Sequence, residues 1–241
     1  MYGWRARIGF ICPSITAETF LHEFHLVAPP GVSLVVINLG IRHLGRDEIG
    51  GSLGMLKSVA AELDRTRVDV IVLGGSPPVT YGGFGFDKEI VRQIGEVTSI
   101  PATTSQTCAV EALHKLEVRT LVIGSPFAED QNLLLKTYLE DSGFKVAAIN
   151  GLAVPVPEIA RMPVAASYRL AKDAFLQAPD AEGVYLPCAL MPTFPNIAPL
   201  ERDLGVPVVT SFLAMLWGVF TMLKIHEPIR GYGRLLESLA L

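Results

Sequence analysis

The chain has 241 residues, half of them hydrophobic and only 18% charged, with a mean hydropathy of +0.40. That composition excludes a disordered polymer and points to strands buried on both faces. Lys and Arg number 20 against 24 Asp and Glu, a net charge of −4, so nothing builds the basic stripe that a phosphate backbone needs and nucleic acid is not an expected partner. Read from the start, MYGWRARIGFICPS offers only a short apolar run, Ile8 to Cys12, before a proline. With no small-residue cleavage site behind it, export is not expected. The three cysteines, Cys12, Cys108 and Cys188, form no even-numbered framework and no zinc spacing, which fits a reducing, cytoplasmic compartment.

Short β-branched runs then alternate with segments of helical periodicity. Strands are predicted at Arg7 to Cys12, Leu34 to Asn38, Val68 to Leu73 and Ile100 to Thr103, and again at Arg119 to Ile123, Lys145 to Ile149, Gly183 to Leu186 and Val206 to Val209. Helical stretches lie between most of them, which predicts parallel sheets covered by helices. Leu204 to Leu223 carries no charge over twenty residues, long enough on paper to cross a bilayer. Pro207, Thr210 and Ser211 interrupt it. It divides better into a strand followed by a helix starting near Ser211, so no membrane association is expected.

The two sets of strands resemble each other. RIGFICPS from Arg7 matches RTLVIGSP from Arg119, DVIVLGG from Asp69 matches GVYLPCA from Gly183, and IPATTS from Ile100 matches VPVVTS from Val206, in the same order. The expected architecture is therefore α/β with two pseudo-symmetric Rossmann-like lobes, each a four-stranded parallel sheet flanked by helices. Residues 1–115, completed by 212–241, make the first lobe and 116–211 the second. Ligands of such sheets bind beyond the carboxyl ends of the strands, which here face a shared cleft. Four turns end strands at that cleft: Cys12-Pro13-Ser14, Gly74-Gly75-Ser76-Pro77, Gly124-Ser125-Pro126-Phe127 and Pro187-Cys188-Ala189. Hydroxyls and free backbone N–H groups at helix starts suit a small anion such as a carboxylate.

Cys188 is the leading candidate for chemistry, because it ends a strand among Leu186, Ala189, Leu190 and Met191. Apolar surroundings disfavour a thiolate, so the group is suited to donate a proton. Cys12, followed at once by Pro13, and Cys108, inside a helix, are read as structural. Aligning the two lobes places Cys188 on Gly74, so the first lobe has no thiol at the matching point. Two-base racemisation needs a group on each face of a carbon. A reaction that makes a carbanion by losing a group needs only one.

IGFICPS, the glycine-serine turn at residues 74–76, IPATTSQT, VRTLVIGSPFAEDQN, the Cys188 strand end, LGVPVVTS and the terminal GYGRLLES together resemble the aspartate/glutamate racemase superfamily, in its arylmalonate decarboxylase and maleate isomerase branch. The resemblance spans nearly the whole chain. It implies a cofactor-independent lyase acting on a small malonate-like acid through an enediolate, with Cys188 as proton donor, Ser76 as a hydroxyl donor and the Ala189 N–H beside them. Pro13, Ser14, Gly74, Gly75, Tyr81, Ser125 and Phe127 join them as substrate-binding positions. Gly75 and Phe127 depart from the pattern, standing where the decarboxylase has threonine and tyrosine, and Ser14, Ser125 or Tyr81 are the expected replacements. A maleate-type isomerase or a racemase ranks second, since Gly74 removes the first cysteine. A non-catalytic carboxylate-binding protein ranks third. No metal is expected, and assembly into a homo-oligomer is left open.

The remaining signals are bland. His22 and His25 flank Glu23 without a third ligand, and His43, His114 and His226 are isolated. YGGFGF, Tyr81 to Phe86, fits no nucleotide cradle and is read as a mobile loop over the cleft. Phe212 to Phe220 is read as a core helix.

Overall fold

Runs such as RIGFIC and DVIVLG make strands because β-branched side chains pack well on a pleated surface and, with helices on both sides, need no polar face. The structure, a computed structural model, describes residues 2–239. One sheet holds β1 (Ala6–Ser14), β2 (Val32–Ile41), β3 (Val70–Leu73) and β4 (Ala102–Thr104), in the order β2-β1-β3-β4. The other holds β5 (Thr120–Ser125), β6 (Lys145–Gly151), β7 (Gly183–Leu186) and β8 (Val208–Thr210), in the order β6-β5-β7-β8. Every pair is parallel, and the two sheets share one topology.

Parallel neighbours need crossovers, and helices supply them. In the first half these are α1 (Glu18–Val27), α2 (Arg46–Leu53), α3 (Leu56–Arg65), α4 (Pro77–Thr80), α5 (Phe86–Gly95) and α6 (Ser105–Lys115). In the second they are α7 (Glu129–Asp141), α8 (Val156–Ile159), α9 (Val164–Gln177) and α10 (Phe194–Leu204), while α11 (Ser211–Met222) and α12 (Arg234–Glu237) follow the last strand.

Strands β4 and β8 start two residues later than the apolar pattern suggests, and the reason is the same in both. Pro101 and Pro207 have no N–H to give, so regular pairing starts after them. Their carbonyls still accept from Ile71 N at 2.9 Å and Val184 N at 3.0 Å. The helix that follows each strand is capped alike: Thr104 Oγ1 accepts from Thr107 N at 3.0 Å, and Thr210 Oγ1 from Leu213 N at 3.3 Å.

Helices α6 and α11 pack against each other. Gly218 lets them approach, since a Cβ there would lie 2.6 Å from Cys108 Sγ. Cys108 is thus a packing residue, with its thiol 3.7 Å from Thr103 Oγ1. Phe10, Phe20, Phe212 and Phe194 carry the core across the seam, with successive ring centroids at 4.9, 5.5 and 6.0 Å from Phe10–Phe20 to Phe194–Phe212. A second tie is polar. Glu23 of α1, only 2% exposed, accepts from the N–H groups of Thr193 at 2.7 Å and Phe194 at 2.9 Å, at the start of α10. Burial pushes its carboxyl up to about 7 despite those donors.

The uncharged run from Leu204 is split between the end of α10, β8 and α11, and Gly218 and the small residues of α11 are covered by α6. Among the described residues no helix is long and apolar enough to cross a membrane.

Candidate active site

The carboxyl ends of β1 and β3 from one sheet and β5 and β7 from the other bound a cavity of about 50 Å³. Phe10, Phe20, Ile41, Leu44, Val156 and Ile159 supply its greasy walls, and Pro13, Pro77 and Pro78 its rigid corners. Among the described residues no charged side chain lines it. A carboxylate placed against these walls without donors would be strongly penalised, so the donors at the strand ends decide what the cavity can hold.

Of the positions singled out in the sequence, Pro13, Ser14, Gly75, Phe127, Cys188 and Ala189 line this cavity together. Cys188 follows Pro187 at the end of β7 with φ +89°, a left-handed conformation that is uncommon for any residue but glycine. Such strain costs on the order of 1–3 kcal/mol and persists where the surroundings impose it. Here it holds the thiol at the cavity wall, 9% exposed. Burial pushes the thiol up to about 11, while the N–H groups of Leu190 and Met191 pull the other way by favouring the thiolate. The group is protonated at neutral pH, and those two N–H groups are placed to receive the negative charge once the proton leaves.

Cys12 was expected to sit in a turn at the cleft but to be merely structural. In the structure Cys12 lines the same cavity as Cys188, and its ionisation is raised in part by Cys188. The two thiols are nevertheless unlike. The Cys12 S–H donates to the carbonyl oxygens of Thr16 at 3.5 Å and Ser14 at 3.8 Å, and burial pushes it up to about 12. Its hydrogen is engaged within its own loop. Sequence alternation along β1 already places Phe10 and Cys12 on one face; only the packing of the second lobe turns that face into a cavity wall.

Gly74 does not line the cavity, because Phe10 fills its place. A Cβ built there would lie 2.4 Å from Phe10 Cζ and 3.3 Å from Ile11 O. Gly75 adopts φ +80°, and a Cβ on it would come within 2.9 Å of Pro13 Cγ. A threonine is thereby disfavoured twice, by the backbone and by the neighbouring proline. Glycine here is a requirement of this turn.

Ser14 is the one hydroxyl among the three expected replacements that reaches the cavity. Its Oγ accepts from Thr16 N at 3.3 Å and keeps its own proton to give. Ser125 lies beneath the surface, where its Oγ accepts from Phe127 N at 3.0 Å and shapes that turn. Tyr81 lies outside the cavity under the Arg46 guanidinium, 5.1 Å from the ring centroid, and packs on Phe86. The loop from Tyr81 to Phe86 thus meets α2 through Tyr81 and α7 through Phe84, which packs on Tyr138, and none of its residues lines the cavity. Ser76, 1% exposed, sits behind Gly75 with its Oγ 3.2 Å from the hydroxyl of Tyr185. Tyr185 has no counterpart in the sequence reading, since a lone tyrosine inside GVYL reads as an ordinary strand residue.

Backbone donors complete the site. The N–H groups of Gly75, Ser76, Cys188 and Ala189 give no hydrogen bond to another described residue. Gly75, Cys188 and Ala189 line the cavity, so an anion can be held there by N–H dipoles from both lobes. Among the described residues no three His, Cys, Asp or Glu side chains are grouped to hold a metal.

A family model described as arylmalonate decarboxylase matches residues 8–236. Among curated relatives, arylmalonate decarboxylase of Bordetella bronchiseptica is 28% identical over 211 residues, covering 87% of this chain and 88% of that one. Maleate isomerase of Pseudomonas putida is 24% identical over 247 residues, covering 96% and 97%. A liganded double mutant of arylmalonate decarboxylase superposes with a TM-score of 0.89 at 26% identity, covering 95% of this chain and 98% of that one. Maleate isomerase from Pseudomonas putida S16 gives 0.89 at 21% identity, covering 97% and 99%, a likeness of fold.

Proposed function

The chain belongs to the arylmalonate decarboxylase family, whose relatives make it a decarboxylase- or isomerase-type enzyme, and we propose that it is a cofactor-independent decarboxylase of a small malonate-like acid. One observation carries this reading: a protonated thiol, Cys188, at a strained strand end beside a cavity with no charged wall. One carboxylate of the substrate lies against the apolar walls, and the other is held by the N–H groups of Gly75 and Ala189, with Ser14 and Ser76 as hydroxyl donors. The C–C bond breaks, CO2 leaves with no charge for the walls to oppose, and the electron pair stays on the α-carbon as an enediolate. The Cys188 Sγ–H bond then breaks, its proton goes to that carbon, and the thiolate is held by the Leu190 and Met191 N–H groups until solvent reprotonates it. A single well-placed N–H donor to a developing oxyanion contributes about 3–4 kcal/mol in measured cases.

A second reading, cis–trans isomerisation, is favoured by Cys12, which puts another sulfur in the cavity. An attacking thiolate is required there. With its pKa at about 12 and its S–H held by two carbonyls, Cys12 is poorly placed to form one.

The discriminating experiment is a screen of malonate, methylmalonate, phenylmalonate and maleate, first for thermal stabilisation of the protein and then for turnover. Release of CO2 from a malonate supports the decarboxylase, conversion of maleate to fumarate replaces it with the isomerase, and stabilisation without turnover leaves a binding protein.

A further inference from the structure

The polar cluster behind Gly75 joins the two lobes. Ser76, from the turn after β3, meets Tyr185 of β7, and the Tyr185 hydroxyl lies 3.3 Å from Oε1 of Gln106 in the first turn of α6. All three residues are 0 to 1% exposed. Two further polar atoms of the cluster, Gln106 Nε2 and Ser211 Oγ, are buried and find no hydrogen-bond partner among the described residues. Ser211 opens α11, the counterpart of α6, and faces the same phenol.

Proton counting restricts what this chain of groups can do. Tyr185 and Ser76 have one hydroxyl proton each. With the Gln106 carbonyl toward the phenol, the tyrosine proton goes to Oε1, and Ser76 must give its own proton to the phenol oxygen. The serine hydrogen is then turned into the seam, and an anion at the Gly75 turn meets only lone pairs. Rotating the amide by 180° reverses the chain: Nε2 donates to the phenol, the phenol donates to Ser76, and the serine O–H is free. The same rotation gives the unpartnered Gln106 N–H a partner, and no heavy atom outside the amide has to move.

We propose that Tyr185, oriented by Gln106, is a positioning residue that sets whether Ser76 can donate to a carboxylate bound in the cavity. The inference rests on the reading of Ser76 as a carboxylate donor. A bound anion selects the reversed chain, so the second lobe governs a donor of the first through a tyrosine that never touches the ligand.

The test is calorimetric titration of the full-length protein with two non-reacting monocarboxylates, isobutyrate and phenylacetate. In Gln106→Leu the amide no longer competes for the tyrosine proton, so Ser76 is released and binding tightens about 3- to 10-fold. That gain disappears in the Gln106→Leu/Tyr185→Phe and Gln106→Leu/Ser76→Ala double variants. Gln106→Met, nearly isosteric and with only a weakly accepting thioether, repeats the measurement if the leucine variant does not fold. In the wild type the 13Cζ resonance of Tyr185 moves on binding, because the phenol exchanges its acceptor. In Gln106→Leu it stays. A weakened or unchanged affinity in Gln106→Leu, with Ser76→Ala still impaired, overturns the relay alone, as does a gain that survives Tyr185→Phe. Unaltered binding in Ser76→Ala overturns the donor reading of Ser76 and the relay with it, and failure of both probes to bind the wild type overturns the carboxylate site itself.

Discussion

Introducing a thiol at position 74 tests whether the first lobe has really lost the space for one. In Gly74→Cys the new Cβ would lie 2.4 Å from Phe10 Cζ and 2.9 Å from Cε2, where ordinary contacts begin at 3.4 Å. The ring is held edge-on by Phe20 at 4.9 Å and by Phe212 at 6.1 Å, and the new Cβ also lies 3.3 Å from the Ile11 carbonyl oxygen. Overpacking of this kind costs about 1–3 kcal/mol, which for a chain of this size lowers Tm by roughly 2–4 °C per kcal/mol. Phe10→Leu makes room, so Gly74→Cys should cost markedly less in that background than alone, a coupling of about 1 kcal/mol or more between touching residues. Thermal and denaturant melts of the wild type, both single variants and the double variant measure it. A Gly74→Cys protein as stable as the wild type, or purely additive losses, would refute the account of why this turn holds glycine.

Other consequences concern pH and the caps. Glu23 is held up to about 7, above its ordinary 4.5, so the folded state binds this proton more tightly than the unfolded one. Its contribution is fully present below about pH 4.5 and is lost as pH rises through about 7, by about 3 kcal/mol at most; Glu23→Gln should flatten that part of the stability profile, and an unchanged profile would contradict it. The Cys188 thiol at about 11 should react slowly with iodoacetamide at pH 7, with a rate that climbs until about pH 11. Fast alkylation at neutral pH would show that the thiolate is already formed. Thr104→Ala and Thr210→Ala each remove a cap from equivalent helices and should each cost about 1 kcal/mol in denaturant melts.

The sequence was most informative where one lobe could be compared with the other. Apolar runs, the two Thr-Ser helix starts and the prolines before β4 and β8 are local signals, and they place all eight strands to within a few residues. Cys188 was legible because its neighbours are apolar and its partner position is glycine. Cys12 was not, since only the closure of one lobe on the other decides what its face of β1 meets. The same holds for Ser76, whose hydroxyl meets a tyrosine more than a hundred residues away, and for Tyr81, whose ring lies under an arginine of α2. The strained φ of Cys188 left no trace either, because nothing local demands it.

The central claim is that the Cys188 thiol delivers the proton, and the most direct measurement compares CO2 release by the wild type, Cys188→Ala and Cys12→Ala on the malonate that stabilises the protein most. Cys188→Ala should lose turnover by about 10²-fold or more, as removal of a general acid does, while still being stabilised by the substrate, and Cys12→Ala should stay within a few fold of the wild type. Turnover that survives in Cys188→Ala, or is lost in Cys12→Ala instead, would contradict the account.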